Sequence, residues 1–342
     1  MESTNRGKLG IVACKSGKQF AENVTKELEL IVQKEEGHND VMIRKSNEVI
    51  FANTEPKTEL EESIRIQDAY IFQDVANRSN GLSVNDNYMI LKTAIDAVRL
   101  ADAHYITVVV PTFPYARQDK QKKREGITAA FAARELAALG VTRVLTLDVH
   151  NEAIAGFFPL PTILENLHSS KNMLDYIRAN INLENLVVTS PDVGAGTKNA
   201  YYANKLLTQL NFLHKRRDYD QPNNVTKVVL IGDVKDKDVL MVDDMIDTAS
   251  TFSKSIEALK KGGARNVYFA CSLAFFNGDA LKTIDRLYKN EMITKVICTD
   301  AVFKPEGFKE KHLWYEEVSV AKYFARVIYN INRGISISRL LE

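Results

Sequence analysis

Short runs of valine, isoleucine and leucine recur along the chain, and polar stretches with helical spacing lie between them. The runs at 8–14, 69–73, 106–110, 143–147, 186–190, 227–231, 239–242, 267–270 and 295–299 read as strands. Several carry almost no polar alternation, which is the pattern of strands covered on both faces in parallel sheets. The stretches 87–101, 129–139, 251–261 and 318–332 read as helices. Strands alternating with helices predict an α/β fold, doubly wound, with mainly parallel sheets flanked by helices.

A faint internal repeat refines this. Leu139-Gly-Val-Thr-Arg-Val144 ends a helix and starts a strand, and Gly262-Gly-Ala-Arg-Asn-Val267 does the same in the second half. Asp119 precedes Gly140 by 21 positions, and Asp243 precedes Gly263 by 20. Two copies of one α/β unit are expected, 1–165 and 166–342, joined near Gly156-Phe-Phe-Pro-Leu-Pro161. The C-terminal helix is free to pack back on the first. A length of 342 residues agrees with two domains.

Composition narrows the function classes. Lysine plus arginine total 45 and aspartate plus glutamate 44, a formal charge of +1. That balance excludes a broadly basic nucleic-acid coat and an acidic solvating tail. Three scattered cysteines, Cys14, Cys271 and Cys298, cannot build a disulfide framework or a paired-cysteine metal knuckle. The first ten residues, MESTNRGKLG, lack a signal-peptide core, and every apolar run is strand-sized. A soluble cytoplasmic protein is expected, with neither membrane nor nucleic acid as partner.

The densest chemistry lies in 238–251. A strand there delivers Asp243 and Asp244 at its C-terminal end, where ligands bind in open α/β sheets. Thr248, Ser250 and Thr251 offer hydroxyls, and the loop and the following helix offer backbone N–H groups, which together make a phosphate cradle. The carboxylates cannot bind phosphate directly. They suit sugar hydroxyls, or act through a metal. Elsewhere, Arg117 can fork onto phosphate oxygens or stack on a base, and Gln118 can reach a ring edge. Lys120, Lys122, Lys123 and Arg124 extend that cationic loop. Asp148 and His150 lie two apart, so on a strand they would share a face. The glycines of Ser190-Pro-Asp-Val-Gly-Ala-Gly-Thr-Lys198 permit close backbone approach to phosphate.

These segments resemble a known family. Val242-Asp-Asp-Met-Ile-Asp-Thr-Ala-Ser-Thr251 is similar to the phosphoribosyl-pyrophosphate loop of type I phosphoribosyltransferases and ribose-phosphate pyrophosphokinases. Phe113-Pro-Tyr-Ala-Arg-Gln-Asp-Lys120 resembles the ATP-site motif of the second group. Leu147-Asp-Val-His-Asn151, the Asp192 turn, Phe212-Leu-His-Lys-Arg-Arg217 and Gly232-Asp-Val-Lys-Asp236 follow in family order, and Asn85-Asp-Asn87 and the terminal Asn332-Arg-Gly-Ile-Ser-Ile-Ser338 are also similar to family segments. The resemblance covers nearly the whole chain.

What it implies is specific. The fold becomes two related phosphoribosyltransferase-type domains, the first carrying the ATP loop and the second the ribose 5-phosphate loop. The activity becomes pyrophosphoryl transfer from magnesium-bound ATP to ribose 5-phosphate, giving phosphoribosyl pyrophosphate and AMP for nucleotide biosynthesis. By the same resemblance Arg117, Gln118, Asp119, Asn47 and His150 bind ATP. Asp243, Asp244, Asp247, Thr248, Ala249, Ser250 and Thr251 bind the sugar phosphate. His150 and Asp192 hold Mg²⁺. Lys215 is the main catalytic cation, with Arg217 and Arg117 as helpers. A homo-oligomer, hexamer or dimer, is also implied. The chain departs from the family at Lys45 and Val49, where an aromatic and an acid serve adenine recognition, and at Ser250, commonly glycine. A catalytically silent regulatory paralogue and a phosphoribosyltransferase are the alternative readings.

Overall fold

The first apolar run becomes a strand, β1 (Leu9–Ala13), whose residues are nearly all buried. The computed structural model describes residues 6–216 and 227–341. It divides the chain into two units, Met1–His168 with Asp300–Phe303 and Ser319–Glu342, and Ser169–Thr299 with Lys304–Val318.

In the first unit β1 is followed by α1 (Lys18–Glu36), β2 (Ile43–Arg44), β3 (Ser46–Ile50), β4 (Pro56–Leu60) and β5 (Asp68–Phe72). Then come α2 (Val84–Leu100), β6 (Tyr105–Val109), α3 (Thr128–Ala138), β7 (Arg143–Leu147) and β8 (Ile163–Leu167). The sheet order is β2-β1-β5-β6-β7-β8, and every pairing is parallel. β3 and β4 form a separate antiparallel ribbon. Phe20, Val24, Leu28, Ile31 and Val32 bury one face of α1 at helical spacing. α2 starts three residues earlier than its apolar pattern predicts. Ser83 and Asp86 close a capping box there, the Ser83 N–H donating to Asp86 Oδ2 at 2.8 Å and the Asp86 N–H to Ser83 Oγ at 3.2 Å.

The second unit holds α4 (Ser170–Asn180), β9 (Leu186–Ser190), α5 (Gly196–Leu206), β10 (Gln209–Arg216), β11 (Lys227–Ile231) and β12 (Asp238–Ile246). It continues through α6 (Ser250–Lys261), β13 (Val267–Ala274), α7 (Ala280–Lys289), β14 (Lys295–Thr299), α8 (Phe308–Lys311) and β15 (Tyr315–Val318). Its sheet runs β11-β10-β9-β12-β13-β14-β15, with β10 and β11 the antiparallel pair. Val318, expected to open the last helix, instead closes β15 opposite Thr299. The helix that follows, α9 (Ala321–Asn332), and the short α10 (Ser338–Leu341) belong to the first unit.

The sequence repeat has a physical basis. Gly140 and Gly263 follow α3 and α6 with φ of 87° and 90°, a left-handed conformation that glycine adopts without strain. In each case the next N–H reaches back into the helix, Val141 to Leu136 O at 3.3 Å and Ala264 to Leu259 O at 3.1 Å. This is the bonding of a helix end that turns directly into a strand. The residue after that bonds the previous strand's start in both units, Thr142 to Ile106 O and Arg265 to Lys237 O, each at 2.8 Å. No helix among the described residues is long and apolar enough to cross a membrane.

Candidate functional site

In the first unit the candidate residues other than Asn47 lie past the C-terminal ends of β6 and β7. Arg117 and Gln118 are exposed on the loop after β6, while Asp119 is buried. Tyr115 anchors this loop: its ring stands edge-on to Tyr88 of α2 at 5.7 Å, and its hydroxyl donates to Asn85 Oδ1 at 2.7 Å. The Thr128 hydroxyl donates to Gln118 Oε1 at 2.6 Å, which orients the amide with its NH₂ end as the donor presented to a ligand.

Asn151, which closes the Leu147–Asn151 motif but received no role from the sequence, links the loops after β6 and β7 by donating to Asp119 Oδ2 at 2.6 Å. Burial alone would raise the Asp119 carboxyl. The Asn151 amide, the residue's own N–H, and the charges of Lys120 and His150 overcome that and hold it below the usual range. Asp119 and His150, assigned separately from the sequence, are therefore brought together. Asp148 and His150 do not share a strand face as expected. β7 ends at Leu147, and Asp148 takes φ of 43°, so the alternation is broken. Asp148 is buried beside His168, with Oδ1 at 3.4 Å from Nδ1, while His150 is exposed. Asn47 lies exposed on β3, opposite Glu59. The next residue, Glu48, faces the start of α1, accepting from the Lys15 N–H at 2.6 Å.

In the second unit three features gather around the ends of β9 and β12. Asp192 sits in the turn between β9 and α5, its Oδ1 accepting from the Ala195 N–H at 3.0 Å and its carbonyl from the Ser190 hydroxyl at 2.6 Å. β12 is longer than its apolar run predicts. It continues through Asp243 and Asp244, because β13 remains paired with it as far as Ile246 opposite Ala274. The two carboxylates thus lie at the strand end, as the sequence reading expected, but inside the paired strand. The Asp243 carboxyl is pushed up to about 7, by burial first and then by the neighbouring Asp244, while the Asp244 N–H and Lys198 oppose the shift.

The chain then turns through Asp247, Thr248 and Ala249 into α6. Ala249 takes φ of 59° immediately before the helix. Asn277, a residue the sequence did not mark, donates to Asp247 Oδ1 at 2.9 Å and fixes that side chain. The Thr248 and Ser250 hydroxyls lie 3.3 Å apart. First-turn N–H groups at the start of a helix have no intrahelical acceptor, so the α6 terminus with these hydroxyls can hold an anion. Lys215 lies on β10, its backbone opposite Val228. Arg217 falls outside the described residues.

Comparison with known proteins agrees with this layout. Residues 9–140 match the family model for the N-terminal domain of ribose phosphate pyrophosphokinase, and 163–312 match the phosphoribosyl transferase domain. A ribose-phosphate pyrophosphokinase of Porphyromonas gingivalis is 40% identical over 292 residues, 85% of this chain and 87% of that protein. A ribose-phosphate pyrophosphokinase 1 of Listeria innocua is 34% identical over 337 residues, 98% of each. Among solved structures, phosphoribosylpyrophosphate synthetase from Mycobacterium smegmatis superposes with a TM-score of 0.80 at 28% identity, covering 95% of this chain and 98% of that one. With both sheets, both domain models and near full-length relatives in agreement, the chain belongs to the ribose-phosphate pyrophosphokinase family of enzymes.

Proposed function

We propose that the protein transfers the pyrophosphoryl group of ATP to the C1 hydroxyl of ribose 5-phosphate. The observation that carries this reading is the Asp243–Asp244 pair at the end of β12, followed directly by the hydroxyl-rich turn into α6. Ribose hydroxyls donate to the carboxylates, and the 5-phosphate takes the N–H groups and the Thr248, Ser250 and Thr251 hydroxyls, with Asp247 and Ala249 shaping the turn. The first unit supplies the nucleotide site: Arg117 and Gln118 for phosphate and base, Asp119 and His150 beside them, and Asn47 for the base. The sugar C1 oxygen forms a bond to the β-phosphorus in line, the bond from that phosphorus to the α–β bridging oxygen breaks, and AMP leaves carrying the bridging oxygen. The proton of the C1 hydroxyl passes to solvent.

Transfers of this kind need positioning and charge compensation more than covalent help from the protein. Lys215, Arg217 and Arg117 are the cations we assign to that work. Among the described residues no group of three or more His, Cys, Asp or Glu side chains could hold a metal ion. Asp192 lies in the turn after β9, and His150 on the loop after β7. Such a donor set fits a magnesium ion that arrives on nucleotide phosphates and needs one or two protein ligands. When bound, that ion neutralises charge on the phosphate oxygens.

A mass-resolved product assay with ATP, other nucleoside triphosphates and ribose 5-phosphate tests the reading. It should give phosphoribosyl pyrophosphate and AMP in equal amounts. Consumption of phosphoribosyl pyrophosphate with a free base would mark a phosphoribosyltransferase instead. Nucleotide binding without AMP release would mark a silent paralogue. Lys215→Ala should lower turnover by roughly 10²–10³-fold, the cost of removing one fixed donor at developing charge. A near-normal rate of AMP release from that variant would remove Lys215 from the mechanism.

A further inference from the structure

We propose that Asn199 is a positioning residue for the Asp243–Asp244 pair, acting through the backbone of Val242. β12 lies between β9 and β13 in the sheet. On the β13 side its ladder runs to Ile246. On the β9 side it stops at Leu240 opposite Val188. Val242 is the next residue whose N–H and C=O point to that side, and it is buried, only 2% exposed. Both groups would lose a large part of their hydrogen-bonding energy if left unmet there.

Asn199 meets both. Its Nδ2 donates to Val242 O at 2.8 Å, and its Oδ1 accepts from the Val242 N–H at 3.0 Å. A carboxamide carries the same donor and acceptor as a peptide group, so this side chain stands in for one further residue of β9. Nδ2 also donates to Ala195 O at 2.9 Å, one turn back in its own segment, and the side chain is fully buried. The clamp therefore ties the start of α5, just past Asp192, to the residue immediately before Asp243.

The consequence is local. β13 still holds Asp243 through its pairing with Cys271 when the clamp is removed. The sheet survives, but the tip of β12 is held on one side only, and the carboxylates lose their fixed position. Displacements on the scale of an ångström are enough to cost large factors in binding and rate.

This inference rests on the reading of Asp243 and Asp244 as ribose ligands, and steady-state kinetics on the full-length protein can separate the two. Asn199→Ala should raise the KM for ribose 5-phosphate about tenfold, the scale seen when a residue behind a ligand is removed, and leave the KM for ATP unchanged. Asn199→Ser keeps a hydroxyl that can bond Ala195 O but is too short to reach Val242. It should show the same selective rise, and it decides the matter if the alanine variant does not fold. The control is Asn266→Ala at the opposite end of β12, where Asn266 Nδ2 donates to Asp238 Oδ1 at 2.9 Å. That variant should lower Tm without altering either KM. A rise in both KM values that Asn266→Ala reproduces would reduce Asn199 to a structural residue and overturn the proposal. An unchanged KM for ribose 5-phosphate in the serine variant would overturn it too. If Asp244→Asn leaves that KM untouched, the ribose reading itself fails. If Asp244→Asn raises it while both Asn199 variants do not, only the clamp fails.

Discussion

Two adjacent carboxylates at a half-buried strand end cannot both stay fully charged without cost. At Asp243 burial and the charge of Asp244 together push the carboxyl up to about 7, against an ordinary value of 3.8. Sugar hydroxyls need ionised acceptors, so the KM for ribose 5-phosphate should climb as pH falls through 7. Asp244→Asn removes the neighbouring charge and should move that inflection to lower pH. The sugar phosphate titrates in the same range but does so identically with both proteins, so the shift between them reports the enzyme. Stability follows the same group with a definite sign. The Asp243 pKa is raised in the folded state, so the stability its proton contributes is complete below the unfolded value near 4 and is lost as pH rises through about 7. Thermal unfolding should therefore show the wild type losing Tm relative to Asp243→Asn between pH 5 and pH 8, and equal slopes would contradict the shift. The carboxylate pair was legible in the sequence because its members are neighbours. Asn199 was not, because its partner lies 43 positions away, and the same holds for Asn277, 30 positions from Asp247. A lone asparagine in a helix pattern carries no mark of the backbone it will meet.

Whole elements were easier to read where their burial is two-sided. The continuous apolar runs of β7, β9 and β14 have the bounds their pattern predicts. β3 and β4 escaped because none of their residues is fully buried and they include only a few apolar side chains. β12 was read short because its last residues are acidic, and pairing with β13 overrode that composition. The glycine-terminated helix ends were the most transferable feature, and they allow a test. At Gly140 a Cβ would meet Arg99 Cδ at 3.4 Å, an ordinary contact, so the penalty for Gly140→Ala comes from φ of 87° rather than from crowding. That should cost about 1–2 kcal/mol, visible as a lower denaturation midpoint, while both KM values stay unchanged. The loop after β6 gives a complementary case. Tyr115, at φ of 60°, is held by Tyr88 and Asn85. Tyr115→Phe keeps the ring and loses the hydroxyl bond, so the KM for ATP should rise severalfold with the midpoint of unfolding little changed. Equal effects on both substrates would assign the bond to general stability.

For the molecule as a whole, repeat and packing divide the chain differently. The internal repeat separates one half of the sequence from the other, whereas the first unit draws in Ser319–Glu342 from the far end of the chain. α9 explains why. Phe324, Ala325, Val327, Ile328 and Ile331 are buried, and the Phe324 ring meets Phe20 of α1 edge-on at 5.1 Å. Polar contacts fix the register: Arg333 forks onto both carboxylate oxygens of Glu36 at 2.5 and 2.7 Å, and Asn332 Nδ2 donates to the buried Asp68 at 2.9 Å and to Gly7 O at 3.1 Å. Glu36 is held below its usual carboxyl range by that guanidinium. The apolar face, rather than the ion pair, supplies most of the stabilisation, since a partly exposed pair contributes little. Phe324→Ala should therefore destabilise the first unit by about 3–5 kcal/mol, and Arg333→Ala by much less. Ending the chain at Val318 should leave α1 with an uncovered apolar face and abolish the cooperative unfolding of the first unit. The second unit is contiguous except for Asp300–Phe303 and should keep its own transition. Calorimetry of the truncated protein distinguishes the outcomes. Survival of both transitions would show that α9 is an accessory to the first unit rather than part of its core.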